Sequence, residues 1–434
     1  MRHILRGTIL HTPQNPFEGG RLESFADGGL VVEGGRVLEL GDYPEIAKAY
    51  QGEVVDLRGG LILPGFVDLH VHYPQVRLFG GLGLRLLDWL EHNTLPHEAR
   101  FSDVEFARAQ AKEFLRGMLR NGTTTAVVFG AHFAGAMEEF FREAEATGFR
   151  AVSGMVISDR NLRPELHVSK AQALEQSLEL ARRWHGRGKL RYALEPRFAI
   201  SCSEAMMEAC REAMQEIPDL YLHTHLNEIL DEPDIIRELY PWSRDRVHTY
   251  EHYGLLGQRS IFAHNICPTD SELERMGAAK ASVAHCPCSH AYTGAGFFPM
   301  RRHLEAAVRF GLGTDIAGGT GFGILKEGLE AYKMQNLMQD GVRLEPAHLL
   351  YLATLAGAEA IGVAEEVGDF SAGKAADVVY VRPAENSSFA VALDHARDQS
   401  PERMLAVAFT MCSEADMGEV FVDGRPVFAQ LGIG

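Results

Sequence analysis

From Leu61 to about Gly362, short apolar runs alternate with stretches of helical periodicity, and this alternation limits the fold more than any other feature of the chain. LILPGFVDLH, TTTAVVFG, FRAVSGMVI, LRYALEPRF, LYLHTHL, SIFAHN, ASVAHC and FGLGTD read as eight strands. Phe101–Asn121, Ala136–Thr147, Lys170–His185 and Ser203–Glu216 read as helices between them, the first with Ser102 and Glu105 spaced as a capping box. Alternating βα units in this number imply an α/β chain built on a (β/α)8 TIM-type barrel.

The two ends have a different texture. HILRGTILHT, GGLVVEGGRVLELG and GEVVDLRGG are short β runs with glycine turns, interrupted by helical character only around Tyr43–Tyr50. Pro346–Gly362 reads as one helix with its proline at the start, where no backbone N–H is needed. After it, VGDFSAGKAADVVYVRP and MGEVFVDGRPVF return to hairpin texture, the latter with an Asp-Gly turn. The expected organisation is a small β-sandwich domain from residues 1–62 plus 368–434, flanking a barrel at 63–367. A chain of 434 residues is long enough for both.

Composition narrows the partners. A net charge of −17 and no Lys/Arg cluster argue against nucleic acid. No apolar run approaches the ~20 residues of a membrane span, and the N-terminus carries no secretory pattern. Six cysteines without a disulfide framework fit reduced thiols, so the expected location is the cytoplasm.

Chemistry in such a barrel lies at the C-terminal ends of the strands. The first strand ends in His70 and His72, which share a face because strand side chains alternate. The fifth ends in His225, with Glu228 three residues on; the sixth ends in His264 and the eighth in Asp315. Any one of these has a purely structural reading. Together they suit one zinc ion with a position left for water. A second metal would need a bridging ligand such as a modified lysine on the fourth strand, and LRYALEPRFAI has none. In this reading zinc acidifies the water, Asp315 accepts a proton from it, and Glu228 shuttles protons to the ring nitrogen and the leaving amine. His264 is a fifth ligand or an oxyanion donor, the donor role being preferred. HLE at His303–Glu305 matches half of a cytidine-deaminase zinc signature, but no PCxxC follows, which excludes that architecture.

PGFVDLHVHYPQ, RNGTTTAVVFG, EPRFA, THLNE, AHN, AHCPCSHAYTGAGFFPMRRHLEAAVRFGLGTDIAGGT and LATLAGAEAIG…GDFSAGKAADVVYV resemble the amidohydrolase superfamily, and within it they are most similar to guanine deaminases. The resemblance spans nearly the whole chain. It implies zinc held by His70, His72, His225 and Asp315, and a guanine ring contacted by Gln75 and the pair Arg197 and Phe198. An amide NH₂ and a guanidinium suit guanine's acceptors, and Phe198 suits stacking. The sequence departs from the pattern at His132, at Cys267 and at His290, the last standing where the family has asparagine. His290 is accordingly a candidate to contact the ring's exocyclic group. The implied reaction is hydrolysis of guanine to xanthine and ammonia by a homodimer with one zinc, or iron, per subunit. The alternatives are the same chemistry on 8-oxoguanine, a pterin or an aminotriazine, or a catalytically silent ligand-binding relative.

Overall fold

The computed structural model describes residues 2–83, 86–228 and 232–433. Eight parallel strands form the barrel: Phe66–His72, Thr123–Phe129, Arg150–Ser153, Leu190–Pro196, Tyr221–Leu226, Ser260–His264, Ser282–His285 and Arg309–Leu312. Each pairs in parallel with the next, from first to eighth. The circle closes between the eighth and the first, where the Asp315 N–H donates to the His70 carbonyl at 2.8 Å. The first and second strands are buried at every position, as expected of strands covered on both faces. Helices between the strands turn apolar stripes inward; Lys170–Trp184, for example, buries Ala173, Leu178, Ala181 and Trp184.

The flanking β unit is a single continuous sheet of seven strands contributed by both chain ends. Leu5, Ile9, Leu30, Val32, Ile62, Val378 and Phe421, from five of its strands, pack into one shared cluster. Its outer hairpin turns at Asp423 and Gly424, whose φ values of 48° and 68° explain the Asp-Gly pair. Within the C-terminal stretch, Ser388–Arg397 and Pro401–Met411 are helices.

Three sequence expectations change in detail. LILPGFVDLH is two strands: Glu53–Pro64 belongs to the flanking sheet, pairing Leu63 with Val379, and the barrel strand begins only at Phe66. The chain crosses between sheets at Gly65, where a Cβ would stand 2.3 Å from Thr124 Oγ1. The helix expected from Phe101 starts at Val104, capped by Asp103, which accepts the N–H groups of Glu105 and Phe106. Ser102 instead donates to the Ala99 carbonyl. Pro346–Gly362 is two helices, broken at Thr354 (φ −135°, ψ −90°).

Candidate active site and metal centre

The strand ends bring five polar side chains to one point. Asp68 lies one turn of the alternation below His70 and accepts the backbone N–H groups of His70 and Thr314, both at 3.1 Å. With the Asp315–His70 backbone bond, this locks the first strand to the eighth. Asp315 Oδ1 thereby stands 3.4 Å from His70 Nε2 and 3.3 Å from His72 Nε2. His72 Nε2 is 3.1 Å from His70 Nε2 and 3.2 Å from His225 Nε2. The His225 Nδ1–H donates to the Arg197 carbonyl at 2.6 Å, which leaves a bare Nε2 facing inward.

This donor set fits a metal ion. Tetrahedral zinc with bonds of ~2.0–2.1 Å requires ligand atoms about 3.3 Å apart, close to the separations found. His70, His72 and His225, and separately His70, His264 and Asp315, bring ligand atoms within 4.8 Å of one another. The imidazoles must be neutral to ligate. Burial pushes His72 down to about 4 and His264 to about 3, and holds His225 well below its ordinary range. Burial opposes ionisation of Asp315, but His70 and His72 hold its carboxyl well below the usual range.

The backbone at this mouth turns through left-handed conformations, at residue types that accept them more readily than other non-glycine residues. Asn227, His264, Asn265 and Asp315 have φ values of 56°, 75°, 48° and 47°. Such strain collects where side chains must be aimed. His264 is aimed so that its Nε2, which has no hydrogen-bond partner, lies 3.6 Å from Glu228 Oε1.

A cleft opens over the centre, and Gln75, Arg197, Phe198, Glu228 and Asp315 all line it. Burial, then the charges of Asp315 and Glu232, raise the Glu228 carboxyl well above its ordinary range, which favours its protonated form. His290 departs from its expected role. It is 2% exposed, on the helix Pro287–Thr293, and its Nε2 lies 3.3 Å from His264 Nδ1, on the side of that ring away from Glu228. It supports His264 and is not part of the cleft wall.

Several residues of the site were not picked out from sequence. Glu98, 2% exposed, pairs with Arg197 Nη1 at 2.7 Å and also meets Gln75 and His132. Glu195, an obvious sequence neighbour for Arg197, is engaged deeper in the barrel: it meets His223 Nδ1 at 3.1 Å and accepts the Gly130 N–H at 2.8 Å. His223 Nε2 lies 2.8 Å from His70 Nδ1, so Glu195 and His223 orient a candidate ligand from behind. The HTH of the fifth strand carries the same alternation as the HVH of the first, and that signal could have exposed His223. Glu232 also lines the cleft and accepts the Glu228 N–H at 3.2 Å, with burial raising its carboxyl to about 7. Nothing in the local pattern marks Glu98 or Glu232.

Comparison with known proteins places the chain in a family. A profile of the amidohydrolase family matches residues 61–427. The chain is 51% identical over 435 residues to a probable guanine deaminase of Deinococcus radiodurans, covering 98% of this chain and 99% of the relative. It is 37% identical to the guanine deaminase of Escherichia coli over 97% of this chain and 95% of that one. A solved structure of E. coli guanine deaminase superposes with a TM-score of 0.93 at 35% identity, covering 98% of this chain and 99% of the other. Among the described residues no helix is long and apolar enough to cross a membrane. The chain belongs to the amidohydrolase family, and the relatives it resembles there are guanine deaminases.

Proposed function

We propose that this protein hydrolyses guanine to xanthine and ammonia, using one zinc ion held by His70, His72, His225 and Asp315. One observation carries the reading: converging imidazole and carboxylate donors stand at a cleft that Gln75, Arg197, Phe198 and Glu228 also line. The guanine deaminases among its relatives support the choice of ring.

When bound, zinc supplies a water acidic enough to react at neutral pH; iron suits the same N/O donors. The chain's own groups do the rest. Asp315, ionised despite burial, takes a proton from the incoming water. Glu228 gives its proton to the ring nitrogen beside the amine-bearing carbon and then helps the amine depart as ammonia. His264 receives the partner it lacks in the protein when its Nε2 donates to the oxygen that becomes negative during attack. Gln75 and Arg197 hold the carbonyl edge of the ring, and Phe198 covers its face.

The test is ammonia release by the zinc-loaded protein from guanine, 8-oxoguanine, a pterin and an aminotriazine. Guanine is expected to be the preferred ring, with xanthine as product. Release from another ring and none from guanine would overturn the substrate assignment.

A further inference from the structure

Glu98 is buried behind the cleft wall and holds two of the wall's residues at once. Its Oε1 accepts from Gln75 Nε2 at 2.9 Å, and its Oε2 accepts from Arg197 Nη1 at 2.7 Å. The other end of the Gln75 amide is also committed: its Oε1 accepts the Ala317 backbone N–H at 3.1 Å. An amide can turn over when its neighbours both donate and accept. Here one neighbour is a carboxylate and the other a backbone N–H, so turning the amide would set oxygen against oxygen and N–H against N–H. Gln75 Nε2 keeps one free hydrogen to offer the cleft, while the amide oxygen, though it keeps a second lone pair, is held toward the Ala317 backbone. Arg197 has only donors to offer.

We propose that Glu98 is a positioning residue that fixes this wall as donor-only, so that the site reads a ring carbonyl and rejects a ring amine at the same position. The inference rests on the proposed aminohydrolase reading for the position of the ring. It goes further in naming what excludes amino-substituted rings and which buried residue enforces the exclusion. Glu98 suits the task because it remains an acceptor. Burial works to protonate it, yet the Arg197 guanidinium and the His132 imidazole, at 2.7 and 3.4 Å, hold its carboxyl well below the usual range. A ring amine facing this wall would set donor against donor in a desolvated cleft, and sites built to hydrogen-bond one group discriminate strongly against its replacement.

Glu98→Gln keeps the shape and removes the constraint. Its amide offers Gln75 either a donor or an acceptor, so the orientation of Gln75 is no longer unique. The experiment is calorimetric binding of hypoxanthine, unsubstituted purine and adenine to the zinc-loaded protein. These rings carry a carbonyl, a hydrogen and an amine at one position and share the rest of the skeleton. Wild type is expected to bind hypoxanthine tighter than purine and purine tighter than adenine, with about 100-fold or more between the extremes. In Glu98→Gln that ratio is expected to shrink about tenfold while zinc content stays the same. Parallel weakening of all three rings with the ratio preserved would show a purely structural role and overturn the proposal. Should the variant not fold, the wild-type series decides alone: adenine bound as tightly as purine overturns the proposal, and the expected order supports it. Guanine turnover on the same preparation tests the aminohydrolase reading separately, because none of the three binding ligands need react.

Discussion

Replacing Glu228 with glutamine tests the proton chemistry without disturbing the centre. Glu228 is not among the ligand atoms that converge. Its Oε1 is 3.6 Å from His264 Nε2, and its backbone N–H is held by Glu232, a contact that a side-chain amide leaves intact. Glutamine keeps the volume and an oxygen but has no proton to exchange near neutral pH. A positioned general acid–base contributes ~10²–10⁴ in rate. At ~1.4 kcal/mol per tenfold, that is about 3–5 kcal/mol of barrier. Glu228→Gln is therefore expected to lose ~10²–10⁴ in kcat for ammonia release from guanine, with zinc content by mass spectrometry equal to wild type. Turnover within a few fold of wild type would refute the role given to Glu228. Loss of zinc would show instead that Glu228 supports the metal.

Three further outcomes follow from named contacts. His223→Phe keeps a ring in the core but removes the group 2.8 Å behind His70 Nδ1; zinc affinity measured against a chelator is expected to fall about 10–100-fold, and unchanged affinity would end the orienting role. Phe198→Ala removes a stacking face from the cleft; KM for guanine is expected to rise about three- to tenfold with zinc retained, and an unchanged KM would remove Phe198 from ring binding. Glu327 is buried, accepts the Cys288 N–H, and is pushed by burial from 4.5 up to about 8. The folded chain keeps this proton through a window in which the unfolded chain has released it, so the group lowers stability as pH rises from about 4.5 to about 8, by about 1.4 kcal/mol per pH unit. Glu327→Gln is expected to lose that slope relative to wild type in urea unfolding at pH 5.5 and 7.5; parallel slopes would contradict the assignment.

The barrel and the candidate metal donors were legible because both are periodic. Strand–helix alternation gives the topology, and the period of two along a strand puts His70 with His72. The known polarity of such barrels then turns His225, His264 and Asp315 at strand ends into one site. What the sequence hid has a different physical character. Glu98 acts through partners 23, 34 and 99 residues away, which only the closed barrel brings together. Its pairing with Arg197, where Glu195 was the nearer acid, follows from strand alternation: Glu195 and Arg197 share a face, but Glu195 lies deeper, at the level of His223. His290 was a candidate ring contact because it stands where the family pattern has asparagine. Position in a loop or short helix does not say which side of a neighbouring ring it meets, and it meets His264 from behind. Leu61–Pro64 and Phe66–His72 form one apolar run in sequence, and their different pairing partners on either side of Gly65, where Thr124 approaches closely, are visible only in the fold.

The central claim is that one metal ion, held by His70, His72, His225 and Asp315, serves guanine deamination. The direct measurement is guanine turnover during titration of the metal-stripped protein with zinc. Activity is expected to rise in proportion to added zinc and to break at one equivalent per chain, with Asp315→Asn and His225→Ala failing to show that break. Turnover that is independent of added metal, or a break at two equivalents, would contradict the account.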